Sequence, residues 1–251
     1  IHSIEVSAQK VVVGAGTVLQ DLTEKLNNRN LAFGHDPWSL PIATVGGAIS
    51  TNGVGYLAAE YGSMGDQVLG LEVVLPSGQI LESKGISKVA GPNLDNLFVG
   101  AEGTLGIVTK CVLRLREAPI SQNTAIVAIK DFSSIIKFLK HIDSGLGGNM
   151  SAYEVMWKEF YEMVTNHLEE ATLPLKKNIP FYVLVESMGS DQNKDEEHFE
   201  LLLNKAFEEE MIVDAVLAKS EKERLSLWAL RDDVEKQAQY GPTVMFDVSL
   251  P

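Results

Sequence analysis

Residues 35–55 read HDPWSLPIATVGGAISTNGVG, and they place Gly46, Gly47, Gly53 and Gly55 within ten positions. Thr44, Ser50, Thr51 and Asn52 are interleaved with them. Glycines at this density remove Cβ atoms, so the backbone can press directly against another group. The small polar residues add hydroxyl and amide donors beside the backbone N–H groups. Such a stretch suits a phosphate-bearing or flat heteroaromatic cofactor. The plainer alternative is a glycine-rich surface loop.

Around it lies an ordinary globular chain. Its 251 residues are 45% hydrophobic with a mean hydropathy of +0.04, enough for one large or two medium domains. Lys plus Arg number 21 against 34 Asp plus Glu, a net charge of −13. That balance argues against nucleic acid or an anionic membrane as the main partner. The single cysteine, Cys111, forms no internal disulfide, and no run reads as a signal peptide or a membrane span. A reducing compartment, the cytoplasm, is the expectation. His2, His35, His141, His167 and His198 are scattered without metal-ligand spacing, so no metal site is expected.

Upstream, Val11-Val12-Val13, Gly14-Ala15-Gly16 and residues 18–28 read as strand, turn and helix, with Leu19, Leu22 and Leu26 at helical spacing. A nicotinamide-type dinucleotide fold would place an acid near Asp36, but Leu19 stands where the third glycine belongs. Leu31-Ala32-Phe33-Gly34 also makes a poor second strand. The segment reads as a strand and helix that pack together.

Downstream, residues 67–75 form an apolar strand, turning at Pro76-Ser77-Gly78 into residues 79–82 as a hairpin. Residues 91–96 read as a loop. A second glycine-rich turn, Gly100-Ala101-Glu102-Gly103-Thr104-Leu105-Gly106, precedes an alternating strand over residues 107–116. Cys111 lies on the apolar face of that strand and reads as packing. Glu117-Ala118-Pro119 marks the boundary between a domain of residues 1–118 and one of 119–251.

In the second part, residues 124–130, 181–186, 211–218 and 243–250 read as strands, and 131–144 and 195–210 as helices. Two capping-box signatures, Ser151-x-x-Glu154 and Ser220-x-x-Glu223, predict helix starts, the first burying Val155, Met156, Phe160, Met163 and Val164. The pattern predicts an α+β domain with a sheet covered by helices on one face.

Taken in order, Asp36-Pro37, Thr44-Val45-Gly46-Gly47, Ser50-Thr51-Asn52, Gly55, Tyr61-Gly62, residues 69–75 and residues 100–109 resemble the FAD-binding fold of the vanillyl-alcohol oxidase superfamily. Within it the chain is most similar to the D-2-hydroxyacid dehydrogenase branch, which includes D-lactate and D-2-hydroxyglutarate dehydrogenases and the glycolate oxidase flavin subunit. Residues 181–186, Leu227-Trp228-Ala229-Leu230-Arg231 and residues 246–251 resemble the cap domain of the hydroxyglutarate enzymes.

The resemblance implies an FAD-binding domain followed by an α+β cap, both incomplete, and an oxidoreductase passing hydride from a D-2-hydroxy acid to FAD. Pro37, Thr44, Gly46, Gly47, Ser50, Thr51, Asn52 and Gly55 would line the flavin and its pyrophosphate. Glu102, Gly106 and Ile107 would lie near the adenosine end; the plainer role for Glu102 is a turn cap. Arg231 would bind the substrate carboxylate, since a planar guanidinium suits bidentate recognition. Its plainer role is an i,i+4 pair with Glu235. A separate electron acceptor and a homodimer complete the expected partners.

Glu235 and Met245 stand where the hydroxyglutarate enzymes carry a threonine and a lysine, which shifts the expected substrate toward D-lactate, glycolate or another small hydroxy acid. The pyrophosphate loop and the metal-binding and catalytic histidines are expected outside residues 1–251, so no catalytic residue is identified within the chain and weak FAD binding is expected of it alone. A transferase of the alkylglycerone-phosphate synthase kind, which shares the fold and a His-acid-Pro like His35-Asp36-Pro37, is the alternative reading. A non-catalytic fragment is a third.

Overall fold

In the computed structural model the described residues are 1–83, 93–169, 172–242, 244 and 246, without the side chains of residues 235, 237 and 238. The chain divides into two compact units, Ile1–Ile120 and Ser121–Pro251.

The first unit is built on an antiparallel sheet in the order β1-β2-β6-β4-β5. Its strands are β1 (Ser3–Glu5), β2 (Lys10–Gly14), β3 (Leu31–Phe33), β4 (Val68–Val74), β5 (Ile80–Glu82) and β6 (Ile107–Glu117). The hairpin read from residues 67–82 is present as β4 and β5. Leu31-Ala32-Phe33, unpromising by composition, forms β3 because the long β6 offers it Leu115, Arg116 and Glu117 as pairing partners. Helix α1 (Leu19–Asn27) lays Leu22 and Leu26 into the core with Val11, Val13, Leu113 and Leu115. Cys111 is buried in the same cluster.

The glycine-rich stretch is not an open loop. Residues Val45–Thr51 form a short helix, α2, followed by α3 (Ala58–Tyr61). The Thr44 side chain caps α2 by accepting from Gly47 N, and Val45, Ala48 and Ile49 bury one face. That apolar stripe supplies the packing energy that overrides the poor helix propensity of two glycines.

The second unit carries a four-stranded antiparallel sheet in the order β10-β7-β9-β8. These strands are β7 (Ser121–Ile129), β8 (Met150–Trp157), β9 (Phe181–Gly189) and β10 (Asp214–Leu217). Helices α4 (Phe132–Leu146) and α6 (Gln192–Glu208) pack Phe138, Ile142, Phe199 and Leu203 on one face. The other face meets α5 (Lys158–Val164) and α7 (Glu221–Asp232) through Tyr161 and Leu227, with Tyr161 stacked on Tyr182 at 3.7 Å between ring centroids.

Helices therefore cover both faces, not one. The reason is legible in β7 and β9: consecutive residues Ala125–Ile129 and Tyr182–Glu186 are all buried, as only a doubly covered sheet requires.

A second correction concerns Ser151-x-x-Glu154, which does not open a helix. Residues Met150–Trp157 are strand β8, paired with β9 from Met150 opposite Ser187 to Trp157 opposite Phe181. Tyr153, Val155 and Trp157 favour a pleated surface, and cross-strand packing outweighs the local cap signal. Of the residues expected in the core, Met156 and Val164 are buried, whereas Val155, Phe160 and Met163 are half-buried and Tyr161 takes a buried position instead. The other capping box holds: Ser220 accepts from Glu223 N at the start of α7. Of the strand expected at 243–250, Val244 and Phe246 alone are described and are not in a strand; the rest, including Met245, lies outside the described residues.

Candidate functional site

The first unit gathers the sequence-selected residues around α2. Val18 and Thr44 form a bridge, and Val45 N and Gly46 N donate to Thr17 O (2.9 Å) and Ala15 O (2.8 Å). Gly47 N donates to Thr44 Oγ1 and Ala48 N to Thr44 O, so the first amides of α2 are satisfied within the protein. At the other end, Ile49 O accepts from Gly100 N (3.0 Å) and Ser50 O from Glu102 N (2.9 Å). The two glycine-rich stretches, some fifty positions apart, are thus bonded together. Asn52 adopts a left-handed backbone (φ 49°), and its Oδ1 accepts from Gly65 N at 2.9 Å.

The glycines divide into two kinds. A Cβ at Gly46 would sit 2.7 Å from Ala15 Cβ, one at Gly55 2.8 Å from the Asp36 backbone, and one at Gly106 2.7 Å from Val73 Cγ1. These three permit close approach of protein to protein. Gly47 is exposed and would meet only the Thr44 hydroxyl, and a Cβ at Gly16 would meet nothing within 4 Å. Thr51, Asn52, Glu102 and Ile107 are exposed, while Pro37, Thr44 and Ser50 are half-buried. Glu102 takes a left-handed turn position (φ 49°). Gly16, in the turn between β2 and α1, carries the same glycine signal as Gly47 and joins it among the glycines with open space beside them.

Exposed apolar side chains, Trp38, Ile42, Val54, Leu105 and Ile107, belong to the same two stretches. Beneath Gly53 lies His35, 2% exposed, with Nδ1 unpartnered and burial pushing its pKa down to about 4. Small hydroxyls, a side-chain amide and flat apolar surface together match a group with a polar chain and a flat ring, which is the chemistry of a flavin dinucleotide.

In the second unit, α7 brings Arg224, Trp228 and Arg231 over the sheet. Glu186, 2% exposed on β9, accepts from Thr124 Oγ1 (2.6 Å), Trp228 Nε1 (2.8 Å) and Arg224 Nη1 (3.3 Å). Arg231 Nε donates to Glu154 Oε2 on β8 at 2.8 Å. The counter-ion expected from helical spacing was Glu235, whose side chain lies outside the described residues; the pair seen is with the strand residue.

Two family descriptions match this chain. "FAD binding domain" covers residues 1–84, and "FAD linked oxidases, C-terminal domain" covers residues 118–251. The second spans more than half of the protein. The chain belongs to the FAD-linked oxidases.

Among curated relatives of this FAD-linked oxidase chain, the mitochondrial D-2-hydroxyglutarate dehydrogenase of Arabidopsis thaliana is 34% identical over 96% of the chain and 44% of the relative. A D-2-hydroxyglutarate–pyruvate transhydrogenase of Saccharomyces cerevisiae is 33% identical over 94% of the chain and 48% of its own length. A putative mitochondrial D-lactate dehydrogenase of Schizosaccharomyces pombe is 32% identical over 100% and 48%. The chain therefore spans about half the length of the relatives it matches. A solved alkyldihydroxyacetonephosphate synthase matches with a TM-score of 0.73 at 20% identity, over 94% of this chain and 47% of that one. At that identity the match speaks to fold alone. No helix among the described residues is long and apolar enough to cross a membrane, and no cluster of three His, Cys, Asp or Glu among them could hold a metal ion.

Proposed function

We propose that the full-length protein oxidises a D-2-hydroxy acid to the 2-oxo acid. When bound, FAD supplies the hydride acceptor. The observation that carries this reading is the run of relatives named for D-2-hydroxyglutarate or D-lactate over 94% or more of the chain.

The chain's own residues divide the work between two tasks. In the first unit, Gly47, Thr51, Asn52, Glu102 and Ile107 offer exposed polar and apolar surface to the flavin, with Pro37, Thr44 and Ser50 beside them. Gly46, Gly55 and Gly106 fix the backbone path by close packing. In the second unit Arg231 binds the substrate carboxylate and offsets its charge in a partly desolvated place. No proton-transfer step is assigned to a residue of this chain.

Met245 and Glu235 in place of lysine and threonine favour a monocarboxylate such as D-lactate or glycolate over a dicarboxylate. A separate electron acceptor, a homodimer and a reducing compartment, cytoplasmic or mitochondrial, complete the proposal; the lone buried Cys111 suits either compartment.

The test is anaerobic flavin bleaching of the full-length protein. D-lactate should bleach the flavin faster than D-2-hydroxyglutarate. Faster bleaching by hydroxyglutarate would overturn the substrate preference. Bleaching by no hydroxy acid, with turnover of acyl-dihydroxyacetone phosphate and a fatty alcohol, would overturn the oxidase reading.

A further inference from the structure

Arg116, near the end of β6, is seated by three other residues of the first unit. Its Cζ lies over the Tyr61 ring, 4.0 Å from the centroid, in a cation–π contact. Its Nη1 donates to Gln67 Oε1 at 2.9 Å. Gln67 is itself fully buried and pinned, because its Nε2 donates to Tyr61 O (2.6 Å) and Ser63 O (3.1 Å). Gly34 leaves room for the assembly. A Cβ there would sit 2.8 Å from Gln67 Oε1, 3.0 Å from Arg116 Nη1 and 3.1 Å from Tyr61 Cβ. The plane and position of the guanidinium are therefore fixed before any ligand arrives.

What this seat lacks is an acid. Gln67 offers a neutral amide and Tyr61 a ring, and no carboxylate among the described residues forms an ion pair with Arg116. Glu60 acts on it only through space. Its Nε and Nη2 have no hydrogen-bond partner among the described residues, and neither is sealed from solvent. These two nitrogens form one side of the guanidinium fork, which takes two oxygens of a carboxylate or phosphate at once. Alternation along β6 puts Arg114 on the same face, about 7 Å away along the strand. Arg114 too forms no ion pair among the described residues. Lys10, opposite Arg114 on β2, is already paired with Glu5 at 3.1 Å. Burial draws the Arg116 guanidinium below the ordinary arginine value and Arg114 pushes the same way, against Tyr61 and Glu60. A bound anion relieves both penalties. In a protein of net charge −13 acids are plentiful, yet no described acid is placed against this pair.

We propose that Arg116, with Arg114 beside it, is an anion site of the first unit: it holds a small molecule by a carboxylate or phosphate group on its Nε–Nη2 side. Arg116 and Arg231 belong to different units, and none of Gly34, Tyr61, Gln67, Arg114 and Arg116 is among the residues assigned to the flavin. The site stands apart from the hydroxy-acid reading and does not rest on it.

The experiment is calorimetric titration of the full-length, flavin-loaded protein with inorganic phosphate and, separately, with acetate, in a low-salt buffer that holds neither. Four forms are compared: wild type, Arg116→Lys, Gly34→Ala and Arg231→Ala. The wild type should bind at least one of the anions saturably. Arg231→Ala, which removes the proposed substrate cation, should retain that binding. Arg116→Lys keeps the charge but loses the two-donor side, and should bind about ten-fold more weakly with its flavin spectrum intact. Gly34→Ala keeps every charge but crowds the seat, and should also weaken binding. Tighter phosphate than acetate would name a phosphorylated ligand and the reverse a carboxylic acid; either supports the site. Full-strength binding in Arg116→Lys would make Arg116 a packing residue and overturn the site. So would binding lost from Arg231→Ala alone. No saturable binding by the wild type would overturn it as well, and release of flavin from Arg116→Lys would give the cation to the FAD pyrophosphate instead.

Discussion

The indole Nε1 of Trp228 donates to Glu186 Oε2 at 2.8 Å, tying α7 to the buried middle of the second sheet. Glu186 is a carboxylate on a strand with no exposed neighbour, and it is tolerable there because Thr124, Trp228 and Arg224 all donate to it. Its consequences reach the helix that carries Arg231.

Glu186→Ala should be among the most damaging single substitutions in the second unit. It removes the acceptor of Trp228 Nε1 and of the Thr124 hydroxyl and one of the two acids on Arg224, which keeps its pair with Glu221. Each buried donor left unsatisfied costs about 1–3 kcal/mol. Urea unfolding should show that loss, and a midpoint within experimental error of wild type would contradict the network.

Gly46→Ala and Gly47→Ala, one position apart, should behave differently. The first forces a Cβ to 2.7 Å from Ala15 Cβ and 3.1 Å from Ala15 O, an overpacking that costs about 1–3 kcal/mol. The second meets only Thr44 Oγ1 at 3.1 Å on an exposed surface. Thermal unfolding should separate them, with Gly47→Ala near wild-type stability and weakened in flavin retention in the full-length protein. Equal destabilisation would refute the division of the glycines.

Much of this was written in the sequence, and the failures have physical causes. The apolar stripe of α1, the cap at Ser220 and the long alternating β6 follow from local spacing, which survives folding. Met150–Trp157 misled because a four-residue cap motif is local, whereas its pairing with β9 is not. The short strand β3 exists only because β6 is long enough to receive it. At the candidate site, the glycines and Arg231 stood out by type. Which glycines face protein, and which acid holds Arg231, depended on contacts between residues 31 and 77 positions apart, such as Gly46 with Ala15 and Arg231 with Glu154.

His35 makes acid stability a test of burial in the first unit. Its pKa falls to about 4 in the folded protein against an unperturbed value of about 6.5. The unfolded chain binds the extra proton first, so this contribution is present above pH 6.5 and is lost as pH falls toward 4. The slope is at most about 1.4 kcal/mol per pH unit. His35→Gln should flatten the pH dependence of unfolding in that window; an unaltered slope would show that His35 titrates in the open.

Cys111 should resist thiol reagents in the native state. Burial pushes its thiol up to about 12, and its Sγ lies 3.7 Å from Val13 O within the core of the first unit. The thiolate is the reactive form, so iodoacetamide at pH 8 should label Cys111 only on unfolding. Rapid native labelling would contradict its placement on the buried face of β6.

Arg231 is proposed to receive the carboxylate of a D-2-hydroxy acid in the flavin-loaded protein. The most direct measurement is anaerobic absorbance of full-length Arg231→Ala beside the wild type. Both should retain the flavin spectrum, and D-lactate should bleach only the wild type. Bleaching of Arg231→Ala at the wild-type rate would contradict it.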